Sequence, residues 1–309
     1  MKLVDLSSRN GDLAAEVART MAAEHPLVAA LEFYQIVGNA DNLRKASAAT
    51  GGTVRAVNNN YTGVAVDPAY ATPSLKIFGD EIKVDQAFER RGMDIVSVRR
   101  RDLAMFARRA SKNLADFVIN GTGNSNQPTG LKTITPSGQK FFANTSSTAL
   151  TLELGNTDAK KLVHGQLAEK LRRGISMVDG GARAIIVPTS IVSRLTSILA
   201  DQVQWVQSEY GVPIAYFNRI PIIEAGYKLN GAEIIAGDET AGTISGTCYS
   251  IYFVRFGEAA DVTVATSNGV NVTDKGLVGS QYVHNVELDL ELALENDLAV
   301  AKLEGIKIG

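Results

Sequence analysis

A chain of 309 residues with 31 basic and 33 acidic side chains has a formal net charge of -2, a near balance that argues against recruiting nucleic acid or an anionic membrane at long range. The single cysteine, Cys248, excludes an internal disulfide framework and a cysteine-rich metal site, and no run of about 18 apolar residues exists to span a bilayer. A hydrophobic content of 45% with 6% aromatics is that of a folded protein, long enough for one or two domains, and the Met-Lys-Leu-Val-Asp-Leu start reads as cytosolic in origin.

In residues 11–24, Leu13, Val17 and Met21 fall at i, i+4 and i+8, which predicts an amphipathic helix ended by His25-Pro26. The apolar stretch that follows, LVAALEFYQIVG, leaves helix and strand open until Gly38 stops it. From Thr53 to Phe88 two alternating runs flank the turn-forming DPAYATPS and predict a long β-hairpin with a ragged first arm. Its second arm sets Leu75, Ile77, Ile82 and Val84 among Lys76, Lys83 and several acids. A two-stranded hairpin is marginal in water, because it has one thin face to bury and two open edges. It must therefore fold back onto its own domain or lie on a neighbouring copy.

Residues 94–119 form the strongest predicted helix: Leu103, Phe106, Ala110, Leu114 and Phe117 make one stripe, with Arg101, Arg108 and Lys112 off it. At 1.5 Å per residue such a helix spans roughly 39 Å and acts as a spine. With no basic excess in the chain, its arginines read as a solvated face or as salt bridges to neighbours, ahead of nucleic-acid contacts.

The next stretch, NGTGNSNQPTGLK at 120–132, looks at first like a phosphate cradle. It lacks the Gly-Lys-Ser/Thr of a nucleotide loop and the third glycine of a dinucleotide turn, so it reads as a structural turn. Asn120 and Gly121 suit a left-handed helix cap, and Pro128 and Gly130 shape the return.

Further on, 156–174 offers Thr157 or Asp158 as N-cap and a Val163, Leu167, Leu171 column. ARAIIVP predicts a buried strand, and the helix from Thr189 turns Ile191, Leu195, Ile198 and Leu199 inward. Several short buried strands follow. The last long run alternates Val286, Leu288, Leu290, Leu292 and Leu294 with Glu287, Asp289, Glu291 and Glu295, which predicts a half-buried antiparallel strand with its acids toward water or a partner.

No constellation for catalysis, cofactor or metal emerges. His25, His164 and His284 belong to unrelated segments, Cys248 reads as a buried thiol, and no Gly-x-Ser-x-Gly elbow occurs. The Asn-x-Ser/Thr matches at Asn60, Asn144 and Asn271 carry no meaning without secretion. A spine, an unsupported hairpin and no reaction centre point to a protein whose work is association.

The junction FVINGTGNSNQPTGLK after a long helix, the hairpin before it, and the closing YFVRFGE, VTDKG and VELDLELALENDLAVAKLEGIKI, in this order, resemble the tailed-bacteriophage major capsid protein family. That resemblance implies an α+β chain with the Hong Kong 97-type capsid fold. Residues 1–50 would be an N-terminal arm leading into the peripheral domain, and 51–92 the extended loop. Residues 93–132 with 259–296 would be the peripheral domain, and 133–258 with 297–309 the axial domain. It implies hexamers and pentamers of an icosahedral shell in the virion, assembled in the host cytoplasm and closed around double-stranded DNA, with a portal as partner. With no room for a leading scaffold segment, a separate scaffolding protein or a trimmed chain is implied. A near-neutral wall fits a container that must not grip its genome. Leu75, Ile77, Ile82, Val84, Lys76, Lys83, Arg101 and Arg108 are the candidate inter-subunit contacts. Some family members join a loop lysine to a neighbour's asparagine; Lys76 or Lys83 with Asn268 or Asn271 could be cast in those roles. The alternatives are an encapsulin-like compartment shell and, from another class, a cytosolic α/β enzyme.

Overall fold

The computed structural model describes residues 1–38, 43–45, 54–60, 70–124, 126–207, 211, 213–258 and 261–309. Helices α1 (Leu3–Ser7), α2 (Asp12–Glu24) and α3 (Pro26–Ala30) bury Leu3, Leu6, Val17, Met21 and Leu27 in the main core. Pro26 occupies the first position of α3, where a missing N–H costs nothing. The preceding His25 caps that helix: its Nδ1 accepts from the Leu27 N–H at 3.2 Å while its Nε2 donates to the Ala225 carbonyl at 3.0 Å. Strand β1 (Phe33–Gln35) follows, so the apolar stretch left open by period alone is a short helix and then a strand. The apolar side chains of residues 1–36 are thus largely buried within the chain itself.

Short strands β2 (Leu43–Arg44) and β3 (Tyr70–Ala71) pair with each other. The described part of the expected first hairpin arm, residues 54–60, forms no strand, and the remainder of that arm lies outside the described residues. The second arm is β4 (Lys76–Asp85), and its partner differs from expectation. It pairs antiparallel with β14 (Gln281–Leu294), from Lys76 opposite Leu290 to Asp85 opposite Gln281. A long regular strand offers an unbroken ladder for every second N–H and C=O of β4, which a ragged arm cannot. Gly79 permits the approach, since a Cβ there would strike the Val286 carbonyl oxygen.

Helices α4 (Ala87–Arg90) and α5 (Ile95–Asn120) come next. Asp94 caps α5, its Oδ1 accepting from the Val96 N–H at 3.1 Å. Leu103, Ala107, Ala110, Leu114 and Val118 form the buried seam; Phe106 and Phe117 lie at its margins, Phe117 edge-on to Phe78 of β4 at 6.0 Å. The turn after α5 departs from the expected cap: Gly121 has φ -52, and the left-handed residue is Gly123 at φ 71. Glycine is needed at 121 for proximity, because a Cβ would strike the Pro128 carbonyl oxygen while the Gly130 N–H donates to Gly121 O at 2.9 Å.

Helix α6 (Leu131–Ile134) leads into β5 (Lys140–Phe142), β6 (Leu150–Leu152), α7 (Asp158–Met177), β7 (Ala184–Val187), α8 (Thr189–Ile198), β8 (Val203–Gln207), β9 (Pro213–Phe217), β10 (Ile220–Glu224) and β11 (Tyr249–Val254). With β15 (Val300–Ile308) these strands make an eight-stranded sheet in the order β5-β15-β11-β7-β10-β9-β8, with β6 also on β15. Both faces of its centre are covered. Ile185, Val187 and Phe253 face Leu167 and Leu171 of α7 and Ile191 and Leu195 of α8, while Ala184, Ile186, Tyr252 and Val254 belong to the main core. Two-sided burial explains the continuous apolar runs. The N-terminus of α8 is capped from afar, Ser190 donating through both N–H and hydroxyl to Glu233 Oε1 at 2.7 Å.

The second sheet has the order β1-β12-β14-β13, where β12 is Val262–Thr266 and β13 is Val270–Val278, with β4 on the other edge of β14. Val286, Leu288, Leu290, Leu292 and Leu294 all enter the main core, as their alternation predicts. On the other face Glu287 is exposed, but Glu291 and Glu295 are buried, contrary to the expectation of a wet acidic side. The reason at Glu291 is a backbone donor in need of an acceptor: Thr129 N–H meets Oε1 at 2.7 Å, which ties the 120s turn to β14.

Candidate assembly surface

The strand β4 forms an outer edge of its sheet, and among the described residues β14 is its one ladder partner. Its side chains divide by parity. Phe78, Ile82 and Val84 point to the chain's own core, Val84 fully buried, while Ile77 stands 73% exposed beside outward-facing Glu81, Lys83 and Asp85. Leu75 packs with Ile36 and Ala265 in a small satellite cluster. Of the four apolar residues expected at a neighbour, Leu75, Ile82 and Val84 therefore spend their surface inside their own chain, and Ile77 alone keeps it. The parity slip between Ile77 and Ile82 is the cause: one strand cannot bury both on one face.

The charged candidates also separate. Lys76 is half-buried at the rim of a cleft of about 440 Å³ that Glu291 and Asp297 share. Lys83 lies 3.1 Å from Glu81, whose carboxyl is held below its ordinary range by hydrogen bonds from Lys275 and Lys83. Arg101 and Arg108 are exposed on α5 and have no hydrogen bond or ion pair among the described residues. Asn268 exchanges hydrogen bonds with Asn10, and Asn271 is exposed on β13 opposite Glu287.

A brace fixes α5 to this sheet. Arg99 pairs with Asp274 of β13 and lies over the Tyr282 ring at 5.3 Å, and the Tyr282 hydroxyl donates to Glu89 of α4 at 2.8 Å. His284 is buried alongside, its Nδ1 3.9 Å from Asp274 Oδ1; burial and then the Arg99 charge push its pKa below the usual value. Asp274 moves down: burial raises it, but the Gly276 N–H and Arg99 outweigh that.

Two exposed apolar features escaped the sequence reading. Leu277 and Val278, 47% and 54% exposed, sit at the tip of the β13–β14 hairpin. Strand β8 is the far edge of the eight-stranded sheet and exposes Trp205, the single tryptophan, together with Val206. The signal available was a lone Trp in a short VQWVQ run, a residue type enriched where partners meet. Among the described residues the edge strands β4, β8 and β13 each carry an exposed apolar side chain, an arrangement that invites pairing unless covered.

The densest charged cluster is Lys302, 3.0 Å from Glu239 and 2.9 Å from Glu304, with Ser250 donating to Glu239; burial raises the Glu239 carboxyl, yet Ser250 and Lys302 bring it below its ordinary range. Each charge there is answered by another, as in a structural network. Cys248 is buried, and burial pushes its thiol up. Among the described residues no group of three or more His, Cys, Asp or Glu is placed to hold a metal, and no helix is long and apolar enough to cross a membrane.

No family model matches the chain, and no curated protein matches it in sequence. Solved structures do. The holo-SrpI encapsulin complex from Synechococcus elongatus is similar with a TM-score of 0.62 at 14% identity, over 94% of this chain and 89% of that one. The capsid of the native GTA particle gives 0.58 at 13% over 93% and 90%, and Mycobacterium phage Bobi 0.55 at 11% over 92% and 90%. At such identities the likeness establishes the fold, and it spans nearly the whole of each chain. This is the Hong Kong 97-type fold of capsid and compartment shells, as the sequence resemblance implied.

Proposed function

We propose that this chain is the major capsid protein of a tailed bacteriophage, forming hexamers and pentamers of an icosahedral shell around double-stranded DNA. The observation that carries the reading is a shell-protein fold over more than nine-tenths of the chain. These open edges support it, since a heterologous contact between different faces of identical copies closes into rings. In this reading residues 51–92 are the extended loop, and Ile77, with Lys76 and Lys83 beside it, meets the next copy. Residues 93–132 with 259–296 are the peripheral domain, and 133–258 with 297–309 the axial one. A scaffolding protein and a portal are the partners, and the virion the final location. An encapsulin-like shell is the second reading, supported by the likeness to the Synechococcus encapsulin.

Negative-stain microscopy of the purified protein tests both, with closed shells expected. Nuclease-protected DNA inside them supports the phage reading and a protein cargo the encapsulin one. A monomer or small oligomer of 32.9 kDa subunits sinks both. Boiled shells on a denaturing gel decide the lysine–asparagine joining: a ladder supports it, one band dismisses it.

A further inference from the structure

The overall charge of -2 conceals a local imbalance. Between Arg90 and Lys112 there are eight basic residues and two acids, Asp94 and Asp102, so this segment carries +6 and the rest of the chain -8 (-2 - 6). On α5, a turn of 100° per residue puts Arg101, Met105, Arg108 and Lys112 within roughly 40° of one line, with Arg109 at the margin and the buried Leu103–Leu114 seam behind. Arg101, Arg108 and Arg109 are exposed and Lys112 half-buried, and among the described residues none of the four has an ion pair. Asp116, the next acid along, is taken by Lys228 at 3.1 Å and Asn120 at 2.7 Å. The result is a ridge of unanswered positive charge about 16 Å long.

We propose that this ridge contacts the phosphodiester backbone of an enclosed duplex, so that α5 fronts the lumen of the shell. The inference rests on the shell reading and adds the orientation of the wall. Its chemistry favours phosphate. Guanidinium forks match phosphate oxygens in pairs, and about 16 Å of duplex presents roughly ten of them. An acidic protein partner would want an apolar centre, and Met105, 47% exposed, is the one large apolar side chain on the line. The ridge presents charge and no element that reads bases, so the contact is independent of sequence. Four cations per copy give weak binding that many copies sum, which reconciles a gripping ridge with a wall that must release its genome. Arg101 and Arg108 then serve the genome, and the neighbouring copy is held elsewhere.

Fluorescence anisotropy of the full-length protein with a labelled 30-base-pair duplex, between 50 and 200 mM salt, tests this against the triple variant Arg101→Gln, Arg108→Gln, Arg109→Gln. All three side chains are exposed, and a melting curve confirms that the variant folds. A wild-type log–log salt slope of about -3.6 is expected, with about a 150-fold loss across that range, falling to about -1 in the variant, which still assembles. Unchanged DNA affinity in the variant overturns the proposal. So does a variant that no longer forms shells, which would return the arginines to a subunit contact, or polyglutamate competing as well as DNA at equal charge. Wild-type protein that binds the duplex but forms no shell would sink the shell reading by itself.

Discussion

Two apolar residues on one strand should have opposite consequences. Ile77 and Val84 are both in β4, but Ile77 is 73% exposed and Val84 is 2% exposed. Replacing Ile77 by alanine removes three carbons that touch little in the isolated chain, so stability should change by less than about 0.5 kcal/mol. If a neighbouring copy covers that side chain, the same change removes about 2 kcal/mol per contact, at about 0.8 kcal/mol per buried carbon and three-quarters of the surface available. That is roughly a thirtyfold rise in the concentration needed for assembly. Val84→Ala removes two carbons from a packed site and should cost the folded chain about 2 kcal/mol, transfer plus cavity. Urea unfolding of unassembled protein gives the first quantity, and light scattering during assembly gives the second. An Ile77→Ala variant that unfolds as early as Val84→Ala, or that assembles at the wild-type threshold, refutes the division of the strand into an inner and an outer face.

Other expectations concern the chain itself. Burial lowers His25 to about 4, with Lys112 adding to it against the Ala225 carbonyl, so the folded state binds fewer protons than the unfolded state below about pH 6.5. Its contribution is complete above that pH and is lost as pH falls toward 4, by roughly 3 kcal/mol, and His25→Asn, which keeps a capping oxygen, should flatten that part of a stability–pH curve. Gly121→Ala should cost about 2 kcal/mol or more in urea melts, since neither the Pro128 nor the Phe117 carbonyl can retreat without opening the turn. Lys302→Ala removes the cation beside Glu304 and leaves Glu239 with Lys132 at 3.1 Å, and should cost about 3 kcal/mol, whereas replacing Lys302, Glu239 and Glu304 together by apolar residues of similar volume should be near neutral, since Lys132 can turn to water.

Elements with a strong local period were legible from the residues. The Val286–Leu294 alternation and the Leu103–Leu114 stripe are properties of a few neighbouring positions; the first is found as read, and the second keeps Leu103, Ala110 and Leu114 while Phe106 and Phe117 yield the seam to Ala107 and Val118. The partner of β4 was not, because strand pairing joins residues some two hundred positions apart and no local pattern states which edge is free. Ile77 and Ile82 differ in parity, so their roles depended on where the bend fell. Glu291 looked solvated by alternation, yet the Thr129 N–H draws it inward. Gly121 was read as a conformational need where the actual need is room. The basic ridge was invisible to a charge sum, which averages over faces that never meet the same partner.

Because β4 runs alongside β14 for ten residue pairs, tension applied along the strand loads those rungs in shear. They must then slip together, whereas a strand peeled from its tip gives way one rung at a time. The Phe78–Phe117 contact passes part of that load to α5, and the Arg99 brace passes more through β13.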